Sequence, residues 1–109
     1  MHNHLKLMLE KINAIEAIIY QYRGIINALE DETLARPAIL MHLISIAEQF
    51  QRLQEALEYD VLSKFDKEDV RGAFAVRNFI AHDYEGINLS IIENVIRDYL
   101  PKIKKVIQE

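Results

Sequence analysis

The sequence predicts an all-α fold, an up-and-down four-helix bundle, and three observations predict it. Apolar residues recur at steps of three and four through most of the 109 residues, the spacing that keeps one face of an α-helix apolar. Three glycines and two prolines are too few for a sandwich or barrel built on tight turns. Leu, Ile, Ala, Glu, Lys and Gln carry most of the chain. With half its residues hydrophobic and 28% charged, a chain of 12.7 kDa holds one domain, residues 1–109, and not two.

The first helix is expected as one long element, with Leu5, Met8, Ile12, Ile15, Ile19, Tyr22, Ile26 and Leu29 on its buried face. Ile18 and Ile25 widen that stripe, as burial in a bundle requires, and Gly24 falls on the opposite face, where its cost is about 1 kcal/mol. The acidic run Glu30-Asp31-Glu32 interrupts the pattern, and Pro37 opens a second helix as a first-turn proline. Its stripe is Ile39, Leu43, Ile46, Phe50, Leu53 and Leu57, ending at Tyr59-Asp60. Val61 to Phe65 reads as a connector. Asp66 and Asp69 resemble a capping box that starts a third helix, carrying Val70, Ala73, Phe74, Arg77 and Ile80 on one side and ending at Gly86. Asn88 caps the last helix, with Leu89, Ile92, Ile96, Tyr99, Ile103 and Val106 inward, and Pro101 is expected to kink it or to split off a short fifth helix.

Composition removes several function classes. Without cysteine there is no disulfide framework, thiolate metal site or cysteine nucleophile. The longest uncharged stretch, Pro37 to Ala47, is well short of the ~18 residues of a membrane span, and the amino terminus meets Lys6, Glu10 and Lys11 before any apolar signal region develops. A cytoplasmic location is expected. A net charge of -4 argues against a broad basic surface gripping duplex DNA, so nucleic-acid chemistry would need a local cationic cleft. Lys102, Lys104 and Lys105 suit the negative end of a helix, with a nucleic-acid patch as the alternative. His2 and His4 read as a frayed terminus, with no third residue at ligand spacing, and His42 as a partly buried packing residue. No metal or cofactor is expected.

One segment departs from a plain bundle: Arg77-Asn78-Phe79-Ile80-Ala81-His82-Asp83-Tyr84. A cation, an amide, a titratable base and a phenol stand within eight residues. With six Arg and four His in the chain, Arg followed five positions later by His arises by chance about 0.2 times, and a Tyr two further on lowers that to about 0.01. His82, with an ordinary pKa of about 6.5, suits removal of a proton from a ribose 2′-hydroxyl. Arg77 offers a rigid fork of donors for a phosphodiester and for the charge that builds in its transition state. Residues five apart on a regular helix point about 140° away from each other. Either the helix loosens before Gly86 and turns His82 inward, or a two-fold interface brings the segment from two chains around one cleft.

This arrangement resembles the HepT-like toxins of the HEPN superfamily, whose signature is Arg, four residues, His, one residue, Tyr. Arg77, His82 and Tyr84 match it, Asn78 after the arginine is usual there, and Ile46-Ala47-Glu48 looks like the small-Glu segment of that family. The resemblance implies a homodimeric, metal-independent endoribonuclease acting on an RNA substrate, with Arg77 and His82 catalytic and Asn78 and Glu48 at the substrate. It also implies a cognate MntA-like nucleotidyltransferase antitoxin that adenylylates the motif tyrosine, which is Tyr84. A second function stays open, that of a non-catalytic nucleotide- or substrate-binding partner of a minimal nucleotidyltransferase.

Each residue also has an alternative reading. Tyr84 is a packing phenol, a group that orients the phosphate, or a nucleotide acceptor. His82 is a catalyst or a helix-end histidine bonded to a carbonyl. Arg77 also fits an ion pair with Glu48 or Asp83, Glu48 either orients Arg77 or is solvated, and Asn78 either touches substrate or holds helix ends together.

Overall fold

A computed structural model of the chain describes residues 2–109, and among them every regular element is helical. The elements are α1 (Asn3–Tyr22), α2 (Ile25–Glu30), α3 (Ala35–Glu55), α4 (Tyr59–Leu62), α5 (Lys67–His82), α6 (Leu89–Asn94), a π-helical turn (Val95–Tyr99) and α7 (Leu100–Gln108). α1 packs on α3, α3 on α5, α5 on the π turn, and α7 back on α1. Four long units therefore close a ring around one core, as the bundle expectation required. Its centre is Met8, Ile12, Ile15, Ile39, Leu43, Phe50, Ile80 and Ile92, all fully buried or nearly so, with Phe65 set edge-on against Phe50 at 5.0 Å.

The expected first helix is two. Arg23 takes a left-handed conformation (φ 61°) and Gly24 follows at φ 146°, outside the helical range. The Gly24 N–H donates to the Ile19 carbonyl (3.0 Å) and the Arg23 N–H to that of Tyr20 (3.2 Å), a Schellman closure. Gly24 is needed because side-chain-bearing residues rarely reach its φ. Past this break the stripe changes register, so Leu29 is buried and Ile26 is exposed.

The acidic run terminates α2 and also starts α3. The Asp31 carboxylate accepts from the N–H groups of Thr33, Leu34 and Ala35 and from the Tyr22 hydroxyl. The Tyr22 bond, ahead of the backbone donors, holds the Asp31 carboxyl below its ordinary value and pushes the Tyr22 phenol up. α3 accordingly begins at Ala35, two residues before Pro37. It ends with a second Schellman closure, Glu58 N–H to Leu53 carbonyl at 2.9 Å and Leu57 N–H to Gln54 at 3.1 Å. Leu57 is thus left-handed (φ 57°) and 66% exposed, where its stripe placed it inward.

The connector contains the one-turn helix α4 and delivers the buried Phe65. Asp66 caps α5 as expected, its carboxylate accepting from the Glu68 N–H at 3.0 Å. Asp69 is instead buried at 2% exposure, with its Oδ1 3.2 Å from the Lys102 Nζ of α7. That carboxylate pushes the Lys102 ammonium pKa up. Asn88 caps α6 through the Ser90 N–H at 2.9 Å. Pro101 falls in the first turn of α7. It has no N–H to offer the carbonyl four residues back, and the wider π turn just before it takes up the mismatch.

The other end of the chain is also tied down. His2 caps α1 by accepting from the His4 N–H (3.2 Å), its Nε2 lies 3.7 Å from Glu58, and His4 Nδ1 lies 2.8 Å from the amide oxygen of the buried Gln49. The frayed terminus expected of these histidines is therefore corrected. His42 is half-buried on α3, where desolvation first and Lys11 second lower its pKa.

Candidate active site

The last two turns of α5 carry the motif. α5 remains regular through His82, and Asp83 follows as an extended residue (φ -146°) whose N–H still reaches the Phe79 carbonyl at 3.2 Å. The Asp83 carboxylate then accepts from the Gly86 N–H at 3.0 Å and closes a short turn. A Cβ on Gly86 would stand 2.6 Å from Asp83 Oδ2, so a side chain there would push the carboxylate out of this turn. The helix thus stops four residues before Gly86. Tyr84 emerges just past its end, 44% exposed.

Arg77 is half-buried between α3 and α5. Its Nη1 donates to Gln51 Oε1 of α3 and its Nη2 to Asn78 Oδ1 at 3.4 Å, and its guanidinium carbon sits 5.4 Å from the centre of the Phe74 ring. Neither Glu48 nor Asp83 is its partner. Glu48 is exposed on α3, one turn before Gln51, in line with the solvated alternative, and the contact to Arg77 that the other reading gave it is made by Gln51. Of the five guanidinium N–H groups, these two bonds use two, and the rest remain for an anion.

His82 is exposed, and among the described residues no hydrogen bond or ion pair reaches it. Since α5 is regular, Arg77 and His82 diverge by about 140°, and the expected inward turn of His82 does not occur. Asn78 and His82, four apart, share one exposed face of α5 with Ala75 and Arg71. Asn78 stands between the two motif groups, touching Arg77 and sharing the face of His82. One chain therefore presents a braced cation and an unengaged imidazole on faces that point well apart.

Sequence reasoning did not find Gln51 or Phe74. A signal existed: Ala47, Gln51 and Gln54, at i, i+4 and i+7, form a stripe flanking the α3 core face, where a small residue admits α5 and two amides follow. Amides have no charge to draw attention. No helix is long and apolar enough to cross a membrane. No match to the chain was found among curated proteins or among solved structures. The family model described as Ribonuclease HepT-like matches residues 8–109, which contain the complete Arg77, His82 and Tyr84 motif, most of α1 and every element from α2 to α7. The chain belongs to the HepT-like ribonuclease family of the HEPN superfamily.

Proposed function

We propose that this protein is a toxin-type endoribonuclease that cleaves RNA without a metal, as a homodimer, with His82 as proton carrier and Arg77 as phosphate clamp. The observation that carries this reading is the state of Arg77: half-buried, held in place by Gln51 and Asn78, and still offering donors. In the reaction His82 takes the proton of a ribose 2′-hydroxyl, and the oxygen attacks the adjacent phosphorus. The bond from phosphorus to the 5′-oxygen breaks, and a second imidazolium protonates the leaving oxygen. The products are a 2′,3′-cyclic phosphate and a 5′-hydroxyl. Arg77 neutralises charge building on the phosphoryl oxygens, a role worth about 10²- to 10³-fold in comparable sites.

The divergence of Arg77 and His82 within one helix calls for a second copy. Two chains paired so that the His82 face of one α5 meets the Arg77 side of the other would, by two-fold symmetry, bring two imidazoles and two guanidinium groups together around one cleft and supply both the base and the acid. Tyr84 is then the point of control. It is exposed beside the cleft, and an AMP group there adds bulk and negative charge that block RNA. The modifying enzyme is a nucleotidyltransferase antitoxin.

The test is growth inhibition and RNA integrity on expression of wild type, His82→Ala and Tyr84→Phe. The expected result is toxicity and cleavage for wild type, loss of both for His82→Ala, and cleavage that escapes neutralisation for Tyr84→Phe. Equal toxicity of wild type and His82→Ala refutes the nuclease. It would favour the second reading, a non-catalytic phosphate-binding partner of the nucleotidyltransferase, with which the separation of Arg77 from His82 in one chain also agrees.

A further inference from the structure

An open groove of about 550 Å³ lies between the carboxyl end of α3, α4 and the first half of α5. Gln54, Tyr59, Leu62, Phe65, Val70 and Phe74 line it, and Lys67 and Arg71 stand at its α5 side. The bundle core does not use this space: Tyr59 is 62% exposed. Its position relative to Arg77 is fixed twice over. Phe74 is one turn before Arg77 on α5 and carries the guanidinium over its ring, while Gln54 is one turn after Gln51, the residue that holds Arg77 from α3. On both helices the groove therefore begins about 4.5 Å along the axis from the phosphate clamp.

We propose that this groove seats a nucleobase of single-stranded RNA, next to the phosphate held by Arg77, and so sets which sequences are cut. The inference rests on the ribonuclease reading above. Three features select this occupant. Aromatic faces at Tyr59 and Phe74 offer stacking that accepts any base but requires one unpaired. Lys67 and Arg71 put two cations at the α5 side of the groove in a protein that is acidic overall, which suits a backbone following the groove. Gln54 supplies a donor and an acceptor for a base edge, and Ser63, whose hydroxyl donates to the Asp60 carbonyl at 2.9 Å, a further acceptor. Arg71 pairs with Glu68 at 3.2 Å, but both side chains are largely exposed, and such a pair opens at little cost when a phosphate competes.

The probe is a fluorescent single-stranded hexaribonucleotide bound to the His82→Ala protein, which holds RNA without cutting it, compared with a set of the same oligomers that each lack one base. Tyr59→Ala, at an exposed site, is expected to weaken binding of the complete oligomer by about 5- to 100-fold, and Tyr59→Phe to retain it. One abasic position should cause the same loss in the His82→Ala protein and no further loss once Tyr59 is alanine. An equal effect of Tyr59→Ala on all oligomers, or no effect, overturns the base site. So does a change in molecular mass on Tyr59→Ala, which would mean that a protein surface covers the groove. Wild-type cleavage that is indifferent to Tyr59 overturns the groove alone. Failure of the wild type both to bind and to cut RNA overturns the nuclease with it.

Discussion

Replacing Gln51 with Leu tests whether Arg77 works as a braced group. The change keeps side-chain size and helix propensity on α3 and removes one bond, that from the Arg77 Nη1. A hydrogen bond to a charged group contributes about 1.5–3 kcal/mol. The Arg77 site is only half-buried, so the lower end applies. About 1.4 kcal/mol is tenfold in a rate or equilibrium constant. The expected loss in kcat/KM for RNA cleavage is therefore about tenfold, against about 10²- to 10³-fold for Arg77→Ala. The decisive measurement is the pair. If Gln51 acts by holding Arg77, adding Gln51→Leu to Arg77→Ala should cost nothing further, whereas a tenfold additional loss in that background would show that Gln51 serves the fold or the substrate directly. Gln51→Glu sharpens the sign: a carboxylate would brace Arg77 at least as firmly but cancel its charge. It should lower RNA affinity more than Leu does and flatten the salt dependence of binding by about one counterion. An unchanged slope refutes the reasoning.

Three further predictions concern the scaffold. Leu57→Gly should stabilise the protein, because a left-handed L-residue costs about 1–2 kcal/mol and the extra chain freedom of glycine returns about 0.5–1 kcal/mol of that. A rise in Tm of a few degrees checks it, and a fall sinks it. Gly72→Ala should destabilise by about 1 kcal/mol net, since its Cβ would lie 2.7 Å from the Tyr99 ring and overpacking outweighs the better helix propensity. Truncating the ring with Tyr99→Leu should make the alanine harmless. Stability should fall in two steps as pH drops. His42 is held neutral in the fold, so its share is complete above the ordinary histidine value of 6.5 and fades below it. Asp31 is held ionised, so its share is complete above 3.8 and fades as pH falls through its depressed folded value. Denaturant midpoints across pH should lose the first step in His42→Leu and the second in Asp31→Asn.

Much of this was legible in the sequence because burial sets periodicity. Ile12, Leu43, Phe50 and Ile80 all lie inward where their spacing put them. Breaks made by backbone conformation were not legible. Arg23 and Leu57 end helices in a left-handed state that neither residue type advertises, and Ile26 and Leu57 are exposed because the stripe does not survive those breaks. The helix end at His82 was hidden for a related reason. Gly86 looked like the stop, but the chain turns at Asp83, whose carboxylate captures the Gly86 N–H and makes the glycine part of the turn. In the candidate site, charge and titration drew attention to Arg77 and His82, whereas Phe74, on the Arg77 side of the same helix, read only as a packing residue, and the neutral Gln51 became visible only through the packing of α3 on α5.

That neutrality is what the proposed phosphate clamp requires in an acidic protein. Five of its thirteen cations are paired with carboxylates: Arg36 with Glu32, Arg71 with Glu68, Arg97 with Glu93, Lys102 with Asp69 and Lys104 with Glu16. Of the three lysines at the carboxyl end, Lys102 and Lys104 therefore brace α7 against the bundle and have less charge to lend to a ligand. Arg77 is different in kind. Its partners, Gln51 and Asn78, are amides that orient the guanidinium through oxygen lone pairs without cancelling its charge, and the Phe74 face supports it in the same way. A carboxylate in either place would have fixed the same geometry and removed the attraction for a phosphodiester. On the proposed function, the choice of amide over acid at these two positions matters more than the net charge of the chain for where a phosphate would bind.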